Sequence, residues 1–189
     1  MLECEKKVLL TREEYIYLIK CYEKEPHVEK QINYYFDTDG LDMNQNNVTC
    51  RIRQKDGKYA GTVKKHVSDI ISYETPVEIR NGLEDNVFTD LGLKLQGALY
   101  TQRGLIFEGN GCVAVIDKND YLGYTDYELE IEYLPQCENE ADVFLRNCVE
   151  IMRSYDTSIT YTDIKSRIGV GKNKSQRFFE RKLFNPDTD

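Results

Sequence analysis

The 189-residue sequence predicts one α+β domain, mostly antiparallel sheet with helices packed outside it, on three observations. Apolar and polar residues alternate in short runs along most of the chain, the period-two signature of strands with one buried face. Turn residues, Asp56-Gly57 and Gly109-Asn110-Gly111, separate such runs where tight hairpins need them. Two longer stretches switch to helical spacing instead. No repeat, low-complexity tract or linker interrupts the pattern, so residues 1–184 are expected to form a single domain before a disordered tail at 185–189.

The elements follow in order. LECEKKVLL places Glu3, Glu5 and Lys7 on one face and Leu2, Cys4 and Val8 on the other. Lys6 spoils the apolar face, which suggests a frayed or exposed strand end. Thr11 and Glu14 make a T-x-x-E capping box ahead of Tyr15, Leu18, Ile19 and Tyr22 at helical spacing, and Pro26 marks the end of that helix. QINYYFDT reads as a strand and 39–47 as a loop. VTCRIRQK sets Arg51, Arg53 and Lys55 against Cys50 and Ile52; in YAGTVKK, Ala60, Thr62 and Lys64 share a face. SYETPVEI is a weaker strand whose Pro76 implies an edge or bulge. A short helix is expected over 84–91, ending at Gly92. ALYTQRGLIFEG and CVAVIDKNDYLG read as a hairpin. DYELEIEY is the clearest strand, with Glu128, Glu130 and Glu132 alternating with Leu129, Ile131 and Tyr133. An amphipathic helix over 140–155 and a last helix over 174–182 complete the reading.

Composition narrows the partners. Net charge is −8, from 33 acidic and 25 basic residues, which disfavours duplex nucleic acid and anionic membranes. No run approaches the roughly 20 apolar residues of a membrane helix, and the acidic N-terminus lacks the features of a signal peptide. Six scattered cysteines without a C-x-x-C pair, and His27 and His66 far from any ligand spacing, argue against zinc and for small core residues in a reducing compartment. The expectation is a soluble, cytoplasmic protein, monomeric or homodimeric.

The charged rows carry the chemistry. A sheet with one wet face usually mixes charge signs, whereas here 128/130/132 are all acidic and 51/53/55 all basic. Residues at i and i+2 on a strand lie roughly 6.5–7 Å apart. Like charges at that separation repel by about 2.4 kcal/mol at an effective dielectric near 20. Such rows call for an opposing row or a ligand. If the apolar faces pack on the helices, the charged faces turn inward around a cavity. Carboxylates there suit Mg²⁺ or Mn²⁺, and lysines and arginines suit phosphate oxygens.

With these residues in place, the sequence resembles the CYTH superfamily, the triphosphate tunnel metalloenzymes, which includes class IV adenylyl cyclases and thiamine triphosphatases. The resemblance rests on E-x-E-x-K (Glu3, Glu5, Lys7), R-x-R (Arg51, Arg53), T-x-K (Thr62, Lys64), the lone Arg103, Asp117 at the end of an apolar strand, and E-x-E-x-E (Glu128, Glu130, Glu132). It runs from Glu3 to about Arg177. NKSQRFFE is similar to the closing helix of the Bacillus-type branch, which adds Lys174 and Arg177 as phosphate contacts.

The resemblance implies an eight-stranded antiparallel β-barrel, a tunnel for a triphosphate and a divalent metal. It implies Glu3, Glu5, Asp117, Glu128, Glu130 and Glu132 as metal ligands. Lys7, Arg51, Arg53, Lys64, Arg103, Lys174 and Arg177 would hold phosphate, and Glu5, Lys7 and Glu130 would be catalytic. The expected activity is Mg²⁺- or Mn²⁺-dependent hydrolysis of inorganic tripolyphosphate or a nucleoside triphosphate. The alternatives are a class IV adenylyl cyclase and a non-catalytic polyphosphate or nucleotide sensor.

Relatives often read R-x-E-x-E on the fifth strand, where this chain has Ser72, Glu74 and Pro76; either Glu74 or Glu78 could face the tunnel. RIGVGKNKS fails as a P-loop, which would need glycine at Ser166 and a hydroxyl at Asn173. Tyr34, Tyr35 and Phe36 read as core or sheet residues.

Overall fold

The structure, a computed structural model, describes residues 2–22, 28–168 and 172–184. Pro26, His27 and the tail at 185–189 lie outside the described residues. Ten strands are present among them: β1 (Leu2–Leu10), β2 (Val28–Asp37), β3 (Val48–Lys55), β4 (Lys58–His66), β5 (Ile71–Val77), β6 (Ile79–Asn81), β7 (Asp85–Asn86), β8 (Lys94–Gly109), β9 (Cys112–Tyr121) and β10 (Tyr124–Tyr133). Eight of them close into an antiparallel barrel in the order β1-β10-β9-β8-β2-β3-β4-β5, and β6 and β7 form a separate small sheet. The helices are α1 (Arg12–Tyr22), α2 (Asp42–Gln45), α3 (Val87–Asp90), α4 (Glu138–Tyr155), α5 (Tyr161–Ser166) and α6 (Lys174–Phe184).

Closure of the sheet gives every barrel strand an inside and an outside, so the period-two alternation becomes a separation of charge from oil. The outward residues of β1, β9 and β10, among them Val8, Ile116, Leu129 and Ile131, pack with Leu18 of α1, Leu145, Val149 and Met152 of α4 and Ile164 of α5. All of these are fully buried. A second apolar group joins Phe36, Cys50 and Ile52 to Phe88 of α3. The third, Tyr35, Leu99 and Tyr121 with Phe178 and Phe179, fastens α6 to the barrel. The six cysteines are all unpaired, and four of them are buried.

Local chemistry explains the boundaries. The Thr11 amide donates to Glu14 Oε2 (2.7 Å) and the Glu14 amide to Thr11 Oγ1 (3.2 Å), the expected reciprocal cap of α1. Both turn residues of each tight hairpin are left-handed: Asp56 (φ 51°) and Gly57 (73°), Asn110 (51°) and Gly111 (71°). That is the type I′ geometry, whose twist matches the flanking strands. Among the described residues β1 pairs with β5 over Leu2–Cys4 alone. Pro76 therefore sits in a stretch of β5 whose strand partner is β4 alone, where a missing amide donor costs little.

Three expectations need correction. Lys6 is neither frayed nor exposed: it is buried, ion-paired to Asp142 and Glu138 at the start of α4, and lies over the Tyr133 ring. Residues 84–91 are only half helical. The Asn86 side chain accepts from the amides of Phe88 (2.9 Å) and Thr89 (3.3 Å), which starts α3 at Val87 and leaves 85–86 in β7. The loop at 39–47 contains α2, and α5 was not expected; both are short and lack a legible apolar period. No described helix is long and apolar enough to cross a membrane.

Candidate functional site

The inward residues of the barrel strands meet around a cavity of about 210 Å³. Register decides who meets whom. Glu5 lies opposite Glu132 and Lys7 opposite Glu130 across β1–β10, Glu128 opposite Asp117 across β10–β9, and Arg103 opposite Asp117 across β8–β9. Lys64 lies opposite Glu74, and Glu3 opposite Ser72. Two carboxylates directly opposite, as at Glu5 and Glu132, repel unless a cation intervenes.

The carboxylates form two groups of different character. Glu3, Glu5 and Glu132 bring one oxygen each to within 4.8 Å of one another, and Asp117, Glu128 and Glu130 do the same. In the second group Lys174 Nζ contacts Glu130 Oε2 (2.6 Å), Glu128 Oε1 (2.7 Å) and Asp117 Oδ2 (3.0 Å). Arg103 adds a two-pronged bond to Asp117 (2.9 and 2.7 Å) and reaches Glu130 (3.2 Å). Arg177 bonds Glu128 Oε2 (2.6 Å) and Asp126 Oδ2 (2.8 Å). Asp117 and Glu128 are fully buried and do not line the cavity.

The first group is less compensated. Lys64 Nζ reaches Glu3 Oε2 (2.5 Å) and Glu5 Oε1 (3.1 Å), and Lys7 reaches the same Glu5 oxygen (2.6 Å). Glu5 Oε2 is buried without a hydrogen-bond partner. Burial, together with the charges of Glu130 and Glu3, pushes the Glu132 carboxyl up to about 7. Across the cavity the imbalance reverses. Arg51 and Arg103 crowd Arg53, and this repulsion, with burial, pulls its guanidinium down to about 10. Arg53 Nε bonds the Asn33 amide oxygen (3.1 Å), and Arg51 Nε is buried without a partner.

The sequence-predicted residues are thus brought together on one barrel interior, with distinctions. Glu3, Lys7, Arg51, Arg53, Lys64, Arg103, Glu130, Glu132 and Lys174 line the cavity. Glu5 lines an adjoining opening of the same interior with Lys7 and His66. Arg177 stands behind Glu128. Of the two glutamates left open, Glu74 faces inward, 3.2 Å from Arg51, while Glu78 is exposed.

Sequence reasoning missed Gln31, Thr49, His66, Asn173 and Ser175 on the lining, and read Tyr35 as a core or sheet residue. His66 follows Thr62 and Lys64 on one face of β4, so the alternation already pointed it inward. It sits 3.3 Å from Thr49 Oγ1, and burial plus the charges of Lys64, Lys7 and Arg51 hold its imidazole down at about 3, hence neutral.

The donor set of the first group fits a hard divalent cation. It offers only carboxylate oxygens, gathered closely, with one buried oxygen lacking a donor and one carboxyl resisting ionisation. Each of these features is what a missing positive charge would leave.

The chain is 27% identical over 197 residues to "Putative triphosphatase YjbK" of Bacillus subtilis, covering 96% of each protein. Among solved structures it resembles "a putative adenylate cyclase" of Bacillus halodurans at 26% identity (TM-score 0.66, covering 94% of this chain and 97% of that one). It has the fold of "Putative adenylyl cyclase HpAC1" from Hippeastrum at 17% identity (TM-score 0.65, covering 100% and 99%). The CYTH domain model matches residues 1–154, which carry all eight barrel strands and both carboxylate groups. The chain belongs to the CYTH domain family.

Proposed function

We propose that this protein hydrolyses triphosphates, inorganic tripolyphosphate or the phosphate chain of a nucleoside triphosphate, with Mg²⁺ or Mn²⁺ as cofactor. One observation carries the reading: the interior holds complementary deficits. At one side stand a crowded arginine and a buried guanidinium nitrogen without an acceptor; at the other, a buried carboxylate oxygen without a donor. A polyanion that arrives with a divalent cation completes both at once. The triphosphatase named among the relatives supports the same reading.

Arg53 and Arg51 are the first groups to take phosphate oxygens, because their donors are least committed within the protein. Charge-assisted bonds of this kind relieve the repulsion among Arg51, Arg53 and Arg103, so binding energy grows as negative charge gathers on the phosphoryl oxygens. Lys7 and Lys64 line the same cavity while bonded to Glu5, so they would bridge phosphate and carboxylate. Glu3, Glu5 and Glu132 would hold the divalent ion, which when bound supplies Lewis-acid polarisation of a phosphoryl oxygen. Positioning and charge stabilisation are most of what phosphoryl transfer to water requires.

The test is a substrate panel, with orthophosphate and cyclic nucleotide measured in the same samples with Mg²⁺, with Mn²⁺ and after exhaustive EDTA treatment. Orthophosphate from tripolyphosphate, abolished by EDTA, is the expected result. Cyclic AMP and pyrophosphate formed in equal amounts from ATP, with tripolyphosphate intact, would replace it with the cyclase reading. Tight binding without turnover would make the domain a sensor.

A further inference from the structure

We infer that the Lys174 ammonium is the resident cation of the Asp117–Glu128–Glu130 group. On this inference the substrate-free protein takes up one divalent ion, at Glu3–Glu5–Glu132, and not two. The inference rests on the metal-dependent reading above and goes on to fix its metal count.

The two groups hold three carboxylates each but have opposite balances. Lys174 Nζ has three protons to donate and three carboxylate oxygens at 2.6, 2.7 and 3.0 Å, one from each acid. It therefore sits at the focus where a metal ion would bind. Arg103 and Arg177 bring the cations around these three acids to three, and no oxygen of the group is left buried without a partner among the described residues. Around Glu3, Glu5 and Glu132 the ion-paired cations among the described residues are Lys7 and Lys64, and Arg103 acts on Glu132 only from a distance. Among the described residues no cation pairs with Glu132, and Lys64 is shared with Glu74 at 3.5 Å.

Access and anchoring point the same way. Asp117 and Glu128 are fully buried while Glu130 and Lys174 line the cavity, so an incoming hydrated ion meets the Lys174–Glu130 pair before it reaches the other two acids. Lys174 is not a free side chain that could step aside. It opens α6, where the Ser175 and Thr49 hydroxyls bond at 2.6 Å, Asn173 Oδ1 accepts from the Gln176 amide at 3.0 Å, and Phe178 and Phe179 pack on Tyr35. Displacing the ammonium would strip charge from three buried carboxylates or pull the helix turn away. Both are costly for buried charges.

The experiment counts bound Mn²⁺ by electron paramagnetic resonance, without substrate, so the answer does not depend on which triphosphate is turned over. Wild type should bind one Mn²⁺ per chain. Glu132→Gln should weaken that binding by on the order of tenfold or more, and Glu128→Gln should leave it within about threefold, given that even ligand-supporting residues act on the tenfold scale. Lys174→Gln should admit a second Mn²⁺ that also raises its melting temperature. Two ions in wild type, or Glu128→Gln weakening Mn²⁺ as much as Glu132→Gln, would overturn the inference. Should Lys174→Gln fail to fold, the wild-type count and the Glu132/Glu128 pair still decide. Failure of tripolyphosphate hydrolysis with a count of one would refute the activity and spare the site.

Discussion

Replacing Glu132 with glutamine should stabilise the metal-free protein, a direction opposite to most substitutions in a functional cavity. The carboxyl titrates near 7 in the fold against an ordinary 4.5, because burial and the neighbouring charges of Glu130 and Glu3 oppose its ionisation. A raised carboxyl binds its proton more tightly when folded, so stability is greatest at low pH and is lost as pH rises from about 4.5 through about 7. At 1.36 kcal/mol per unit the full loss is about 3 kcal/mol above neutrality, an upper figure for a side chain only partly buried. A glutamine carries no such penalty. For a chain of 189 residues each kcal/mol moves the melting temperature by about 2–4 °C, so Glu132→Gln should melt roughly 6–12 °C above wild type at mildly alkaline pH in EDTA. The gap should close near pH 4.5, where wild type is protonated anyway, and should shrink on adding Mg²⁺, which stabilises only the carboxylate. Melts by differential scanning fluorimetry across this range check it. Equal or lower melting of the variant at alkaline pH would refute the claim that this corner lacks positive charge.

Glu130→Gln should behave oppositely: Lys174 and Arg103 hold Glu130 ionised well below the usual carboxylate range, so losing it leaves buried cations short of a partner. A destabilisation of about 3–5 kcal/mol, read from the same melts, is expected. Arg53→Ala should cut tripolyphosphate turnover by about 10- to 100-fold, the worth of one or two charge-assisted bonds, while Arg12→Ala on the exposed face of α1 leaves it unchanged. Phosphate-release assays compare the two. His66 titrates near 3 in the fold against 6.5 outside it, so it withdraws stability as pH falls below about 6.5, by about 1.4 kcal/mol per unit. His66→Gln should flatten that part of the wild-type melting profile.

The barrel was legible because closure rewards strict alternation: E-x-E-x-K, R-x-R and E-x-E-x-E place their charges inward on β1, β3 and β10 exactly as written. What the sequence could not show is how the charges are shared. The repulsion expected along 128/130/132 falls on Glu132 alone, because Lys174 and Arg177 arrive from a helix more than forty residues downstream to neutralise the other two. Lys6 misled for the same reason: its acidic partners Glu138 and Asp142 are distant in sequence and adjacent only once α4 has docked. Glu74 and Glu78 differ by four residues and so by no parity of alternation; the irregular step at Val77–Ile79, where the strand leaves the barrel, separates them. The half-strand, half-helix segment at 84–91 turns on a single cap at Asn86, too local a signal to outweigh its apolar spacing.

The narrow seam between β1 and β5 has a consequence for the order in which the molecule assembles. β1 precedes the other strands in the chain, yet its long neighbour is β10, residues 124–133, and among the described residues it pairs with β5 over Leu2–Cys4 alone. Nearest-neighbour hairpins such as β3–β4, β8–β9 and β9–β10 can zip locally, whereas joining β1 to β10 closes a loop of more than a hundred residues and is entropically the slow step. Until then Glu3 and Glu5 remain in water, and no half-made barrel brings them to Glu132. The last act of folding and the gathering of Glu3, Glu5 and Glu132 are therefore one event, and any ligand that needs all three would bind the closed barrel and favour it over every open form.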